Sequence, residues 1–400
     1  MITGHGRRQG RHPGRGRAAA ALALTTLVAL VLSACSSGAT GGTPSDDRTQ
    51  VAVPLASSFA GAGTSWAIVA MGHLDDPANT FWQMLYRSEG SSLWKLATPP
   101  GVASNGGLVA STSSSGTVTA GFEPSQDLQF SPLGQTADRG ASWSQGVLPG
   151  ALAAVPDALA TSTSHHYLAL LRTGGGEIVA NGGDLTTWTT VARLTTLSAD
   201  PSTSACRVTG LTAVAYATNG DPLAGTACAH GSTPGIFELV DGAWRSVGPR
   251  LPTPTATPTR VLRLLETPAG VAALVSTGTG TTTALVALWS PVGTGHWMAS
   301  NALPLGVRSL TSTGDTPAGG LVIATAGSGQ QAAAVITPSS RQWLQLATPP
   351  TGTSAVVAGP DGTLEALIVD QSTLRVDSSG AGGWHRTQTL DVPIQYGSSS

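Results

Sequence analysis

The hydrophobic residues of this chain occur mostly in short runs separated by glycine, proline and other turn-forming residues. Between residues 307 and 340 the runs VRSLTS, GGLVIATAG and QQAAAVITPSS follow one another with turns between them. Short apolar runs bounded in this way indicate β-strands, and continuous rather than alternating runs indicate strands covered on both faces. After residue 34 no segment has a sustained apolar period of 3.6 residues, so we expect few helices.

A tryptophan recurs after each group of such runs. Seven of the ten tryptophans follow a turn-like stretch and lie 41 to 56 residues apart. These are Trp94, Trp143, Trp188, Trp244, Trp297, Trp343 and Trp384. Periods of about 40 to 50 residues with several strands each are typical of propeller blades. The sequence therefore predicts an all-β fold, a β-propeller of about seven four-stranded blades, with six or eight as alternatives.

The turn before Trp143 contains a motif. Residues 136–143, TADRGASW, fit the pattern Ser/Thr-x-Asp-x-Gly-x-x-Trp through Thr136, Asp138, Gly140 and Trp143. The motif resembles the Asp-box (BNR) repeat of sialidases and other exported propellers, and shorter versions precede four of the other tryptophans. The resemblance implies a structural turn between the third and fourth strands of a blade, with binding sites on the opposite face near the central channel. It predicts architecture rather than activity.

The first 35 residues have the plan of an export signal. Five arginines without an acidic residue precede an apolar stretch, Ala18 to Leu32, that is short for a membrane-spanning helix. Small residues then lead to Cys35, which resembles the lipobox of bacterial lipoproteins. The resemblance implies cleavage after residue 34 and a lipid anchor on Cys35, and a plain secretory signal is the alternative. Residues 35–50 are predicted to be a flexible tether and residues 51–400 a single propeller domain.

Charge and cysteine content limit the partners. Because residues 1–34 hold five arginines and no acidic residue, the rest of the chain has 15 basic and 22 acidic residues, a net charge of −7. This balance argues against nucleic acid as a partner. One lysine against 19 arginines resembles the composition of actinobacterial proteins.

Cys206 and Cys228 are the cysteines that remain after residue 35. An even pair in an oxidising compartment predicts a disulfide, with free thiols or a metal half-site as alternatives. Both lie toward one end of a predicted hairpin in blade 4, and a loop or bulge is needed to bring them into register.

The sequence contains no GxSxG, P-loop, HExxH or CxxC motif, and we assign no catalytic, cofactor-binding or metal-binding residue from it. A sialidase would need an arginine cluster, a Tyr/Glu pair and an acid/base carboxylate. The tripeptide Arg250-Leu251-Pro252 is similar in sequence to that family's Arg-Ile-Pro motif. It follows Trp244, however, in a predicted connection between blades in the middle of the chain, whereas the family's motif belongs to the first blade. The four tyrosines, which have no distinctive partners, are Tyr86, Tyr167, Tyr216 and Tyr396.

Acidic residues occur in two predicted loops between second and third strands. Asp75 and Asp76 lie in the first, and Glu123 and Asp127 in the second. These carboxylates are either a cation or glycan site or ordinary solvated loop residues.

Two further groups of residues have alternative interpretations. His165 and His166 are adjacent in a predicted strand edge and point to opposite faces, so we do not expect them to share a metal. Trp66, Trp82 and Trp289 lie outside the repeat and are either sugar-stacking platforms or core residues.

We therefore expect a monomeric protein held by Cys35 on the extracytoplasmic face of the cell membrane. Its predicted role is a binding or scaffolding module for an envelope protein or a glycan, without a cofactor and without catalysis. The alternatives are a sialidase-like or other glycoside hydrolase or lyase, and an assembly factor for a membrane complex. Arginine and carboxylates converging at the top of the channel would favour the enzyme. The ring is expected to close either through residues 391–396 beside the first blade or through Val51–Leu55 completing the last.

Overall fold

Seven consecutive four-stranded antiparallel sheets make up most of the chain in the computed structural model. The structure describes residues 55–100, 105–123, 129–172, 175–231, 233–251 and 257–394. The predicted signal, Cys35, the tether, Asp127 and Tyr396 lie outside these ranges.

The first four blades follow one another from residue 56 to residue 246. Blade 1 consists of β1 (Ala56–Gly61), β2 (Thr64–Gly72), β3 (Thr80–Ser88) and β4 (Lys95–Leu96). Blade 2 consists of β5 (Leu108–Thr112), β6 (Val118–Phe122), β7 (Ser131–Thr136) and β8 (Ser144–Leu148). Blade 3 consists of β9 (Leu159–Thr161), β10 (Tyr167–Leu171), β11 (Glu177–Asn181) and β12 (Trp188–Arg193). Blade 4 consists of β13 (Val208–Tyr216), β14 (Pro222–Cys228), β15 (Ile236–Val240) and β16 (Ala243–Ser246).

The last three blades repeat the plan. Blade 5 consists of β17 (Thr259–Thr267), β18 (Gly270–Thr277), β19 (Ala284–Pro291) and an outer strand in two pieces, β20 (Met298–Ala299) and β21 (Leu303–Pro304). Blade 6 consists of β22 (Ser309–Asp315), β23 (Leu321–Gly327), β24 (Gln330–Ile336) and β25 (Leu344–Gln345). Blade 7 consists of β26 (Thr353–Ala358), β27 (Leu364–Asp370), β28 (Thr373–Gly380) and β29 (Gly383–Asp391).

The order of the strands defines the two faces of the ring. The first strand of each blade is buried at the centre and the fourth is largely exposed at the rim. Turns between first and second strands, such as 359–363, and between third and fourth strands, such as 137–143, form what we call the turn face. Turns between second and third strands, such as 73–79, and blade-to-blade connections, such as 149–158, form the loop face.

The predicted propeller with seven blades is confirmed over the described residues. Helix is scarce there, as expected: the α-helix α1 (Leu194–Ala199) joins blades 3 and 4, and short 3₁₀ turns occur elsewhere.

Each blade shares a hydrophobic cluster with the next, so the core is a continuous ring. Ile68 and Met84 of blade 1 pack with Ala120 and Phe122 of blade 2. Further clusters join blades 2 to 4, blades 4 and 5, blades 5 and 6, and blades 6 and 7. Leu85 of blade 1 shares the final cluster with side chains of blade 7. Burial of neighbouring blades against each other explains why the runs are apolar on both faces.

The ring closes without an exchanged strand. Each terminal blade is built from consecutive strands of its own, and the chain forms no further strand after Asp391 within residues 392–394. The predicted extra strand at residues 391–396 is therefore wrong over its described part. Val392 is instead buried in the cluster between blades 7 and 1. Of the alternative closing segment, residues 51–54 lie outside the described ranges.

A buried ion pair holds the two terminal blades together on the turn face. Arg87 of β3 contacts Glu365 of β27 at 2.7 Å and Asp361 at 2.7 Å. Glu365 also accepts hydrogen bonds from the Trp94 indole at 2.8 Å and from Ser378 at 3.0 Å. Charge-assisted bonds of this kind are stronger than neutral ones. They replace the backbone pairing that an exchanged strand would have provided.

Candidate functional site

The central channel is filled by one arginine. Arg263 of β17 is 2% exposed, and its guanidinium reaches blades 1 and 6 and the connection before blade 3. It contacts Asp157 before blade 3 at 3.2 Å, the Thr313 carbonyl of blade 6 at 2.7 Å and the Ser58 carbonyl of blade 1 at 2.8 Å. Five donors in a fixed fork suit such a bridging role. The side chain therefore closes the axis where many propellers are open.

The inner strands also come together directly. β1 pairs with β22 in parallel, with Ser57 opposite Thr313. This pairing fixes the Ser58 and Thr313 carbonyls that Arg263 contacts. Farther from the axis, β14, the second strand of blade 4, pairs with the start of β17, with Cys228 opposite Thr259.

Two carboxylates accompany Arg263 in the interior. Asp157 and Asp315 are 4% and 2% exposed, and an oxygen of Asp315 accepts the Ala60 N–H at 2.8 Å. Burial raises the pKa of Asp157 and of Asp315 to about 7, and the nearby guanidinium opposes that rise in both cases. The charge of one guanidinium therefore offsets only part of the cost of ionising two buried carboxyls.

A cavity of about 30 Å³ adjoins this group. It is lined by Asp157, Asp315 and Arg263 and extends to Thr112 and Tyr216, which end the inner strands of blades 2 and 4. Its volume accommodates one or two water molecules. Asp157 Oδ2 is buried without a hydrogen-bond partner, and a water in this cavity would satisfy it.

The position of this cavity differs from the sequence expectation. The resemblance placed binding sites near the channel on the face opposite the Asp-box. The axial cavity instead lies where the inner strands end, toward the turn face. The arginine and carboxylates do converge, but they are buried inside the ring rather than presented at its top.

The turn that contains the Asp-box motif joins β7 to β8. Asp138 accepts hydrogen bonds from the Ser142 N–H at 2.9 Å and the Ser142 hydroxyl at 2.5 Å, and the Gly140 N–H bonds Thr136 at 2.9 Å. The bonds from the Ser142 hydroxyl, the Ser142 N–H and the Thr136 hydroxyl, in that order, lower the pKa of Asp138 to about 2. Gly140 has φ +81°, a conformation that glycine adopts without strain. The carboxylate is fully engaged in holding the turn.

A shorter version of the motif makes the same kind of turn in blade 3. Asp184 accepts the N–H groups of Thr186 and Thr187, each at 2.9 Å, while Asn181 accepts that of Gly183 at 2.7 Å. The backbone donors lower the pKa of Asp184.

Most of the repeat tryptophans join adjacent blades. In three of them the indole N–H donates to a backbone carbonyl of the preceding blade. Trp188 donates to Val147 O at 3.1 Å, Trp244 to Val191 O at 3.2 Å and Trp384 to Ala347 O at 3.1 Å. Trp94 donates across the ring closure to the Glu365 carboxylate of blade 7. Trp343 packs against the cluster of blades 5 and 6, and its N–H is buried without a partner. The period in the sequence thus reflects contacts between blades.

The acidic loops of the loop face do not form a common site within the described residues. Asp76 begins a 3₁₀ turn by accepting the Ala78 N–H at 3.0 Å and the Asn79 amide at 2.7 Å, while Asp75 is exposed. Glu123 is 2% exposed beside Gly107, and burial raises its pKa to about 8 despite the charge of Arg172. A group of three or more metal-ligating side chains does not occur among the described residues.

The predicted disulfide joins Cys206 and Cys228, with the Cα atoms 5.2 Å apart. Val208 lies opposite Cys228, and the register of β13 on β14 shifts twice, near Gly210 and near Ala213. Of the two alternatives that the sequence left open, a loop or a bulge, the structure has bulges. The bridge anchors the connection that carries α1 to blade 4.

The remaining candidates are structural. Trp66, Trp82 and Trp289 are 1%, 9% and 3% exposed, which makes them core residues and not exposed platforms. His165 and His166 are exposed in the turn between β9 and β10, not in a strand edge, because His165 adopts φ +59°.

Among the other sialidase candidates, Tyr167 and Tyr216 are buried and Tyr86 is half-buried. Arg250 lies in the connection from blade 4 to blade 5, as the sequence indicated. None of these side chains joins the axial carboxylates except Tyr216, which lines the same cavity.

Comparisons with known proteins identify the class of fold. No protein-family model and no curated protein matches the chain. A putative 6-phosphogluconolactonase from Bacteroides uniformis matches with a TM-score of 0.53 at 13% identity, covering 83% of this chain and 98% of that one. The periplasmic gluconolactonase of Pseudomonas aeruginosa matches with 0.52 at 12%, covering 82% and 96%. A protein from Lactobacillus plantarum matches with 0.51 at 10%, covering 83% and 97%. At these identities the likeness shows the fold alone, that of a β-propeller.

Proposed function

We propose that this chain is a lipid-anchored extracytoplasmic β-propeller that binds a glycan or an envelope protein without chemically changing it. The observation that carries the proposal is the closed axis. Arg263 and its carboxylates are buried and link blades 1, 5 and 6 to the connection before blade 3, and the cavity beside them has room for only one or two waters. A substrate-sized pocket lined by catalytic groups is absent from the described part of the axis. The surfaces left for a ligand are the two faces and the rim.

Two sequence features support the proposed location. The basic and apolar N-terminus leading to Cys35 has the plan of a lipoprotein signal, and the disulfide between Cys206 and Cys228 suits an oxidising compartment. Among the described residues the structure contains no helix long and apolar enough to cross a membrane.

A glycan array tests the binding role. The full chain, kept in a detergent without a sugar headgroup, is applied to bacterial and host glycans, and bound protein is scored. Retention on a defined set of glycans supports the proposal. If none is retained, chemical cross-linking of the folded protein in its native envelope tests the protein-partner branch, and the absence of a reproducible cross-linked partner as well would contradict the proposal.

An enzymatic role is the second candidate, and one observation favours it. Asp157 and Asp315, both with a pKa of about 7, adjoin one cavity beside a guanidinium. Carboxyl groups with raised pKa values beside a charged partner are typical of acid–base chemistry. Two of the structural neighbours are named as lactonases, which supports lactones as substrates to test. Glycosides are the second class to test, because the Asp-box motif resembles the repeat of sialidases. Hydrolysis of either class that is lost in Asp157→Asn would establish this candidate in place of the first.

A further inference from the structure

The geometry points to a binding cleft for a neutral sugar ring between blades 4 and 5 on the turn face. This inference rests on the proposed binding function and names its ligand class. The cleft has a volume of about 230 Å³. We call it the Trp297 cleft, and it is formed by Asn219, Leu223 and Glu238 of blade 4 and by Val271, Ser290 and Trp297 of blade 5.

Trp297 differs from most of the repeat tryptophans. Those of blades 1, 3, 4 and 7 donate their indole N–H to the preceding blade. Trp297 makes no such bond to the described residues of blade 4, and its half-buried ring lines the cleft instead. The ring packs against the cluster of blades 4 and 5, which fixes its orientation. A fixed indole whose N–H makes no bond to the described residues presents both an apolar face and a hydrogen-bond donor.

The opposite wall offers a positioned carboxylate. Glu238 is half-buried in β15, and one of its oxygens accepts the Asn219 amide at 3.1 Å. Asn219 is itself held by Asp221, through bonds of 2.9 and 3.0 Å. Glu238 lines the cleft, and among the described residues no hydrogen bond to its second oxygen occurs. A carboxylate held in this way accepts hydrogen bonds from neighbouring hydroxyl groups.

The other residues that line the cleft provide apolar surface and one hydroxyl group. Leu223 and Val271 are buried and apolar, and Ser290 provides a hydroxyl. The rim is open, because a Cβ atom at Gly293 or Gly295 would meet no atom within 4 Å. An apolar platform with a few placed polar groups is typical of a small-ligand site. One aromatic face, one carboxylate and one hydroxyl suit a sugar ring, which has an apolar face and a hydroxylated edge.

A proline-rich peptide is the competing ligand, since such peptides bind aromatic-lined grooves. Its binding would require a longer groove with successive apolar pockets. The Trp297 cleft has a single aromatic ring and is bordered by the exposed polar residues Thr218 and Asn219. We therefore assign the cleft to a sugar.

The test follows the ten tryptophan indole N–H signals by NMR in the full chain labelled at tryptophan nitrogen. Glucose, galactose, mannose and N-acetylglucosamine oligomers are titrated, and the Trp297 signal is identified by its loss in Trp297→Phe. We expect at least one saccharide to shift the Trp297 signal while the Trp384 signal stays unchanged. A shift caused by oligoproline and by none of the saccharides would overturn the assignment.

Variants separate binding from folding. Trp297→Leu is expected to weaken saccharide binding roughly tenfold or more, from loss of aromatic contact. Glu238→Gln is expected to weaken it several-fold, because a charged acceptor becomes a neutral one. Trp384→Leu is the matched control and is expected to leave affinity unchanged, although it removes an interblade bond. If glycan binding persists in folded Trp297→Leu, this inference fails while the proposed binding function stands. If no glycan binds but a protein partner does, the sugar assignment alone fails.

Discussion

The side-chain amide of Gln388 bonds both backbone groups of Trp94, 294 residues earlier in the chain. Its oxygen accepts the Trp94 N–H at 2.8 Å, and its nitrogen donates to the Trp94 carbonyl at 2.8 Å. A neighbouring strand provides such a pair of bonds through its own peptide groups. Gln388 lies in the last strand of blade 7, and Trp94 directly precedes the last strand of blade 1. The side-chain amide of Gln388 therefore provides two of the hydrogen bonds that a strand exchanged between blades 1 and 7 would otherwise make.

Gln388→Ala is expected to lower the free energy of unfolding by about 1 to 3 kcal/mol, because it leaves both backbone groups of Trp94 without partners. Urea denaturation of the folded protein measures the change. Gln345→Ala is the matched control, since Gln345 is exposed on the outer strand of blade 6. We expect the control to change stability by less than about 0.5 kcal/mol. Equal effects of the two substitutions would show that the amide contributes nothing to closure.

Stability is expected to fall as pH rises from about 4 to about 7. The pKa values of Asp157 and Asp315 are raised to about 7 in the folded protein, while an unfolded aspartate titrates near pH 4. The folded chain therefore binds more protons in this window, and the stabilisation present below it is lost as the carboxyls ionise.

Asp315→Asn is expected to flatten that pH dependence by up to about 1.4 kcal/mol per pH unit, the value for one proton. The amide retains an oxygen for the Ala60 N–H and cannot ionise. Denaturation at pH 5, 6, 7 and 8 measures the slope, with the exposed Asp370→Asn as control. Glu123, whose pKa is about 8, contributes in the same direction, so the comparison is between variant and parent. Parallel curves for Asp315→Asn and the parent would contradict the role assigned to the axial carboxylates.

Reduction of the Cys206–Cys228 bridge is expected to lower the free energy of unfolding by about 2 to 4 kcal/mol. The bridge closes a loop with a sequence separation of 22, and its loss frees the unfolded chain. Thermal unfolding with and without a reductant measures the effect. A variant with both cysteines changed to alanine should unfold at one temperature under both conditions. A reductant effect that persists in that variant would have another origin.

Cys35→Ala is expected to abolish membrane anchoring, because the thiol that takes the lipid is gone. Detergent phase partition of cells expressing the parent and the variant measures the change. The parent should enter the detergent phase, while the variant should enter the aqueous phase or remain as uncleaved precursor. Equal partition of the processed proteins would favour the plain secretory signal.

Much of the fold could be predicted from the sequence because the tryptophan spacing repeats from blade to blade. Trp188, Trp244 and Trp384 recur at the blade period since each contacts the blade before it, so spacing alone predicts the blades. The pairing of the two cysteines also follows from the sequence, whereas the register of their hairpin is defined only by the structure.

The axis and the ring closure could not be predicted in the same way. Three residues that define these features, Arg263, Asp157 and Gln388, belong to no repeat and to no motif. Their partners lie 50 to 294 residues away in the chain. Nothing in local composition distinguishes Arg263 from the other arginines. The role of Trp297 could not be predicted either, because its spacing is that of the other repeat tryptophans. Only the structure shows that its indole lines a cleft.

The central claim is that this propeller binds its ligand and leaves it intact. The most direct test incubates the full chain with a glycan that it retains on the array and then weighs the released glycan by mass spectrometry. We predict an unchanged mass after prolonged incubation, both for the parent and for Asp157→Asn. Loss of a sugar or opening of a lactone in the parent, abolished in Asp157→Asn, would contradict the account and identify the axial carboxylates as catalytic.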